Sequence, residues 1–123
     1  MKVINIHRRT INAPIEAVGT LLATLSSQED KLWPIEKWPR MKFKQGLVLN
    51  AKGGHGPIRY FINHYEPNKS IGFTFTRPSG FYGTHVLELL PRGENTEVKH
   101  TIDMVTKGKA ALLWLIAIKW LHN

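Results

Sequence analysis

Three of the six histidines of this 123-residue chain, His64, His85 and His100, fall inside the strand-like runs that follow Met41. Imidazole is the side chain that changes charge closest to neutral pH, so it serves as general acid, general base or hydrogen-bond partner for a small molecule. The run from Phe81 to Val105 reads as a hairpin turning at "PRGEN". If Glu88 faces Lys99 across it, opposite charges meet on the outer face, Leu87 faces His100 and His85 faces Ile102. His85 and His100 are then diagonal neighbours on the inner face, about 7–8 Å apart at the backbone and within side-chain reach. The preceding hairpin, counted the same way, puts His64 opposite Phe73 and Ile62 opposite Phe75, with His64 also facing inward. His85 and His100 are the candidate catalytic pair for a cyclisation or an aldol-type dehydration. The competing reading is a pair of buried histidines satisfied by backbone or water.

Other residues with chemical potential are weaker. Asp103 is expected outside and Glu66 at a strand end, so no carboxylate is placed to orient the histidines. Neither HExxH nor any paired helical histidines occur, and the chain has no cysteine, so no metal and no cofactor is expected. "GGHGP" (Gly53 to Pro57) fits neither a P-loop nor GxGxxG and precedes a strand instead of a helix. It reads as a tight turn with His55 at its tip, in solvent or at a cavity rim. Trp33-Pro34 and Trp38-Pro39 forbid regular structure and mark an extended segment whose indoles anchor on the body or reach a ligand. Tyr60, Tyr65 and Tyr82 offer hydroxyls, and Arg77 lies where an acidic head group would be met.

The elements follow from pattern. Lys2 to Ile11 alternates weakly as a strand. "NAPIEAVGTLLATL" opens a helix capped by Asn12 or Ala13, with Pro14 in its first turn and Val18, Leu21, Leu22 and Leu25 as its apolar stripe. A second short helix starts near Ser27. From Met41 the pattern is all strand: "FKQGLVLNAK", "PIRYFINHYEP", "SIGFTFTR", "GFYGTHVLELL" and "TEVKHTIDMV", joined by turn residues as an antiparallel meander. After Gly108, "KAALLWLIAIKWLHN" is a helix apolar nearly all round and too short to span a bilayer.

Hydrophobic residues make up 42% and charged residues 21%, as in a folded chain, and no linker or repeat divides residues 1–123, which read as one domain. The net charge of +8 is spread in single residues and pairs without interleaved aromatics, so nucleic-acid binding is not expected. "MKVINIHRRTIN" lacks the apolar core of a signal peptide, which places the protein in the cytoplasm.

"INAPIEAV", "YFINHYEPNKSIGFTF" and "GTHVLELLPRGENTEVKHTIDM", in this order, resemble the SRPBCC superfamily of START-like domains, polyketide cyclases and the major birch-pollen allergen. "GGHGPIRY" with "LWPIEKWPRM" looks like a bacterial subgroup of it. The resemblance implies an α+β helix-grip fold: a curved antiparallel sheet of six or seven strands around the C-terminal helix, with two short helices after the first strand. It further implies an apolar cavity between sheet and helix that binds a hydrophobic or amphipathic small molecule, or alternatively works as a polyketide cyclase or dehydratase through its histidines. Whether the protein is an enzyme is left open. The residues expected to face the ligand are Trp33, Trp38, Tyr60, Ile62, His64 and Phe73, together with Phe75, Phe81, His85, Leu87, His100 and Trp114. Superfamily members carry a longer terminal helix, so this one is expected to be naturally short or truncated. A helix with two apolar faces implies a homodimer formed through it.

Overall fold

A computed structural model describes residues 1–25, 41–55 and 58–122, with side chains through Leu115. The expected second short helix, Trp33 and Trp38 lie outside the described residues, as do the side chains of the last half of the terminal helix. Strand β1 (Lys2–Ile11) leads to helix α1 (Ile15–Leu22). Strands β2 (Met41–Phe43), β3 (Lys52–His55), β4 (Ile58–Glu66), β5 (Ser70–Arg77), β6 (Phe81–Arg92) and β7 (Asn95–Thr106) follow, and helix α2 (Lys109–His122) comes last. The seven strands form one sheet in the order β1-β7-β6-β5-β4-β3-β2, every neighbouring pair antiparallel. Consecutive strands from β2 to β7 are neighbours, as a meander requires, and β1 returns to pair with β7. Among the described residues no helix is long and apolar enough to cross a membrane.

The sheet has one buried face. Met41, Phe43, Tyr60, Ile62, Phe73, Leu87, Leu89, Val98, Ile102 and Met104 alternate with outward residues and join Val18, Leu22 and Leu25 in a single core. The stripe on α1 is therefore the one read from the sequence. Its cap is not. Pro14 occupies the N-cap with extended backbone and no side-chain bond, because the ring that fixes φ supplies no acceptor. Thr96, at the start of β7, donates its hydroxyl to the Ala13 carbonyl (2.9 Å) and ties the entry to α1 onto the sheet.

"FKQGLVLNAK" is not one strand. Gly46 and Asn50 both take positive φ (77° and 68°), which turns the chain out of the sheet between β2 and β3. The loop stays attached to β4 by two bonds, Asn50 N to Ile62 O (2.8 Å) and Ile62 N to Ala51 O (3.0 Å). Gly53 and Gly54 then lie inside β3 instead of forming the expected turn. Gly53 separates Phe43 on β2 from Tyr60 on β4, and the two rings close over it at 5.7 Å. A Cβ there would come within 2.1 Å of the Lys42 carbonyl oxygen.

Candidate functional site

The β6–β7 hairpin has the register expected of it: Glu88 opposes Lys99, Leu87 opposes His100 and His85 opposes Ile102. The two outward charges face each other, but they close no ion pair; Glu97 is the carboxylate that bridges, to Arg8 (2.7 Å) and Arg92 (3.3 Å). On the inner face the diagonal brings the two imidazoles together. His85 Nδ1 and His100 Nε2 are 3.1 Å apart, so one donates its N–H and the other accepts.

His85 is 1% exposed and packed on every side. Its ring stacks with Phe73 (4.4 Å) and with Phe75 (5.0 Å), while Tyr60 meets it edge-on at 4.4 Å. His100 is half-buried and opposes His7 of the edge strand β1. A third histidine joins them. His55 is 4% exposed, and its Nδ1 lies 2.7 Å from the Tyr60 hydroxyl. The turn-tip position expected for His55 is thus wrong. The connection from β3 to β4 is only residues 56 and 57, so His55 pairs with Ile58 and shares the inner face with it.

His64 goes the other way. The structure pairs Ile62 with Phe73 and Tyr60 with Phe75, not His64 with Phe73 and Ile62 with Phe75. An irregularity between Ile62 and His64 adds a residue and reverses the alternation, leaving His64 exposed and 2.9 Å from the Ser70 hydroxyl.

A pocket opens between the sheet and α2, lined by His55, Ile58, Phe75, Phe81, His85, His100, Ile102 and Trp114. Phe81 contacts Phe75 at 5.6 Å and Trp114 at 6.5 Å, both edge-on, and these rings form its aromatic wall. As folded it has room for about one water molecule. Of the residues expected to face a ligand, Phe75, Phe81, His85, His100 and Trp114 line this pocket. Tyr60, Ile62, Phe73 and Leu87 are core residues beside it. His55, Ile58 and Ile102 are lining residues absent from the expected set. Tyr82 and Arg77 are exposed, and Tyr65 is half-buried.

Burial sets the electrostatics. It pushes His55 down to about 3 from an ordinary 6.5, with smaller contributions from His100 and the Arg59 charge. It likewise lowers His100 to about 4, helped by His7, and holds His85 well below the usual histidine range, helped by His100 and His55. All three rings are neutral at pH 7. Among the described residues no group of histidines and carboxylates is arranged to hold a metal ion.

The whole arrangement has structural relatives. Norcoclaurine synthase from Thalictrum flavum, in complex with dopamine and hydroxybenzaldehyde, superposes with a TM-score of 0.67 at 10% identity, covering 97% of this chain and 83% of that one. The Aha1 dimer from Colwellia psychrerythraea gives 0.63 at 17% identity over 96% of this chain and 87% of its own. A START superfamily protein from Mycobacterium smegmatis gives 0.57 at 12% identity over 94% and 91%. No family model matches the sequence, and no curated protein is significantly similar to it. At these identities the likeness is one of fold, and the fold is the α+β helix grip of the SRPBCC and START-like proteins, with a short C-terminal helix.

Proposed function

We propose that this protein binds a hydrophobic small molecule in the pocket between the sheet and α2. The observation that carries the reading is the lining: a wholly apolar surface made by aromatic and aliphatic side chains and by three neutral histidines. Small-molecule sites are concave and predominantly apolar, as this one is. The pocket is small as folded, so a ligand enters by displacing a wall. Helix α2 is the wall suited to this, because its described part buries Ala110 and Trp114 while Leu112, Leu113 and Leu115 face outward. Native mass spectrometry of the gently purified protein tests the reading. The expected result is a mass above that of the polypeptide, lost on denaturation. The polypeptide mass under both conditions, with no saturable uptake of the neutral dye N-phenyl-1-naphthylamine, would contradict it.

A cyclase or dehydratase is the second reading, favoured by the 3.1 Å contact between His85 and His100. It is the weaker of the two on chemical grounds. An efficient general acid or base titrates near the working pH. His100, at about 4, is a feeble base at pH 7 and carries no proton to give as an imidazolium.

The exposed leucines of α2 support a second proposal, self-association through that helix in the manner of a two-fold dimer. Leu112, Leu113 and Leu115 are 60%, 50% and 52% exposed. Sedimentation at low micromolar concentration should show a dimer, and Leu113→Glu should convert it to monomer. A native monomer would remove the proposal.

A further inference from the structure

The loop between β2 and β3 (residues 44–51) carries apolar side chains where polar ones are the rule. Turns favour Gly, Pro, Asn, Asp and Ser, yet here Val48 and Leu49 are 50% and 60% exposed. The loop is not loose. Gly46 N bonds Phe43 O (3.1 Å), Ala51 N bonds Val48 O (3.0 Å), and the two bonds to Ile62 hold its second half on β4. Leu47 packs against the core, while Val48 and Leu49 turn out.

Cations flank this tip. Lys44 and Lys52 stand at the two ends of the loop, Lys42 lies on β2 before it, and all three are exposed. Lys42, Gly54, Arg59 and Arg77 form one row across β2, β3, β4 and β5. Arg59 and Arg77 are directly opposed, a like-charge pairing that costs stability. From Met41 to Tyr65 the sequence holds four basic residues and no carboxylate. Among the described residues none of these cations closes an ion pair, whereas Lys2, Arg8 and Arg92, on β1 and β6, each meet a carboxylate of β7. Exposed apolar side chains beside uncompensated cations mark a binding surface.

We propose that this corner of the molecule docks on an anionic phospholipid surface. Val48 and Leu49 enter the boundary between head groups and acyl chains, and Lys42, Lys44, Lys52 and Arg59 meet lipid phosphates. An aliphatic tip with a cationic flank complements a bilayer interface, which is negative at its surface and apolar just beneath. It suits nucleic acid less well, because no exposed aromatic ring on β2, β3 or their loop offers a stacking face. A second copy of the chain would bring the same cations against themselves and be repelled. The docking does not depend on the pocket between sheet and α2 holding a ligand.

The test is flotation of the native protein with vesicles of phosphatidylcholine alone and with vesicles of equal parts phosphatidylcholine and phosphatidylglycerol. The protein is expected to float with the mixed vesicles at low salt, to be released by high salt, and to stay behind with phosphatidylcholine alone. Lys44→Glu combined with Lys52→Glu should weaken binding about tenfold or more. Val48→Ser combined with Leu49→Ser should weaken it too, with circular dichroism unchanged, because both side chains lie at the surface. The chain has no cysteine, so Val48→Cys can carry a single environment-sensitive fluorophore. Its emission should shift to the blue on mixed vesicles, and the same label on Ser79→Cys, in the β5–β6 turn, should not move. Equal flotation with both vesicles, or none with either, would overturn the proposal. A stationary label at Val48 on bound protein would overturn insertion of the loop. Tighter retention by duplex DNA than by mixed vesicles would assign the cations to nucleic acid, and a dimer dissolved by Val48→Ser with Leu49→Ser would assign the loop to a second copy; either result overturns the lipid surface.

Discussion

Four histidines of identical chemistry end in four environments, and their environments predict different behaviour. His55, His85 and His100 are neutral in the fold but titrate near 6.5 once unfolded. Below pH 6.5 the unfolded chain therefore binds more protons. Their contribution to stability is complete above that pH and is lost as pH falls toward 4 for His100 and 3 for His55. Each pKa unit corresponds to about 1.4 kcal/mol, and a domain has about 5–15 kcal/mol in total. Thermal melts from pH 8 to pH 4.5 should show a flat Tm above pH 6.5 and a steep fall below it; a constant Tm down to pH 5 would refute the buried neutral trio. His64→Ala should change stability by less than about 0.5 kcal/mol, since an exposed ring is lost. Tyr60→Phe should cost about 1–3 kcal/mol in denaturant titration, because it strips the hydroxyl from His55 Nδ1. His85 and His100 could be placed from sequence because opposite charges, Glu88 and Lys99, marked the register of an unbroken hairpin. His64 could not, because Asn63 and His64 carry no sign of the extra residue that turns the ring outward.

At the scale of elements, β3 shows how glycine was read correctly as permissive and wrongly as a turn. Gly53 is there because two neighbouring strands approach it, not because the chain reverses at it. Gly53→Ala should therefore destabilise by about 1–3 kcal/mol through overpacking against Lys42 and Phe43. A melt unchanged within half a kcal/mol would mean that β2 yields without cost. The inward turn of His55 was within reach of the sequence. Inward Tyr60 makes Ile58 inward, and a two-residue connection then makes His55 its partner. The terminal helix was expected to bury both of its faces. Its described leucines show one face covered and another open, because Trp114 and Ala110 make the contact with the sheet end.

For the molecule as a whole, the order of elements was legible because turn residues punctuate a meander whose strands alternate, and the seven-stranded sheet agrees with it. The size of the cavity was not legible. It depends on how closely Trp114 and Phe81 meet, which periodicity does not encode. The central claim is that a hydrophobic ligand enters this pocket and not the outer leucine face of α2. Titration with N-phenyl-1-naphthylamine separates the two when made on the native protein, on Ile102→Phe, which fills the pocket, and on Leu113→Glu, which charges the outer face. The expected result is saturable binding at one site, lost in Ile102→Phe with circular dichroism and cooperative unfolding preserved, and retained in Leu113→Glu. Binding that survives Ile102→Phe and disappears in Leu113→Glu would contradict it.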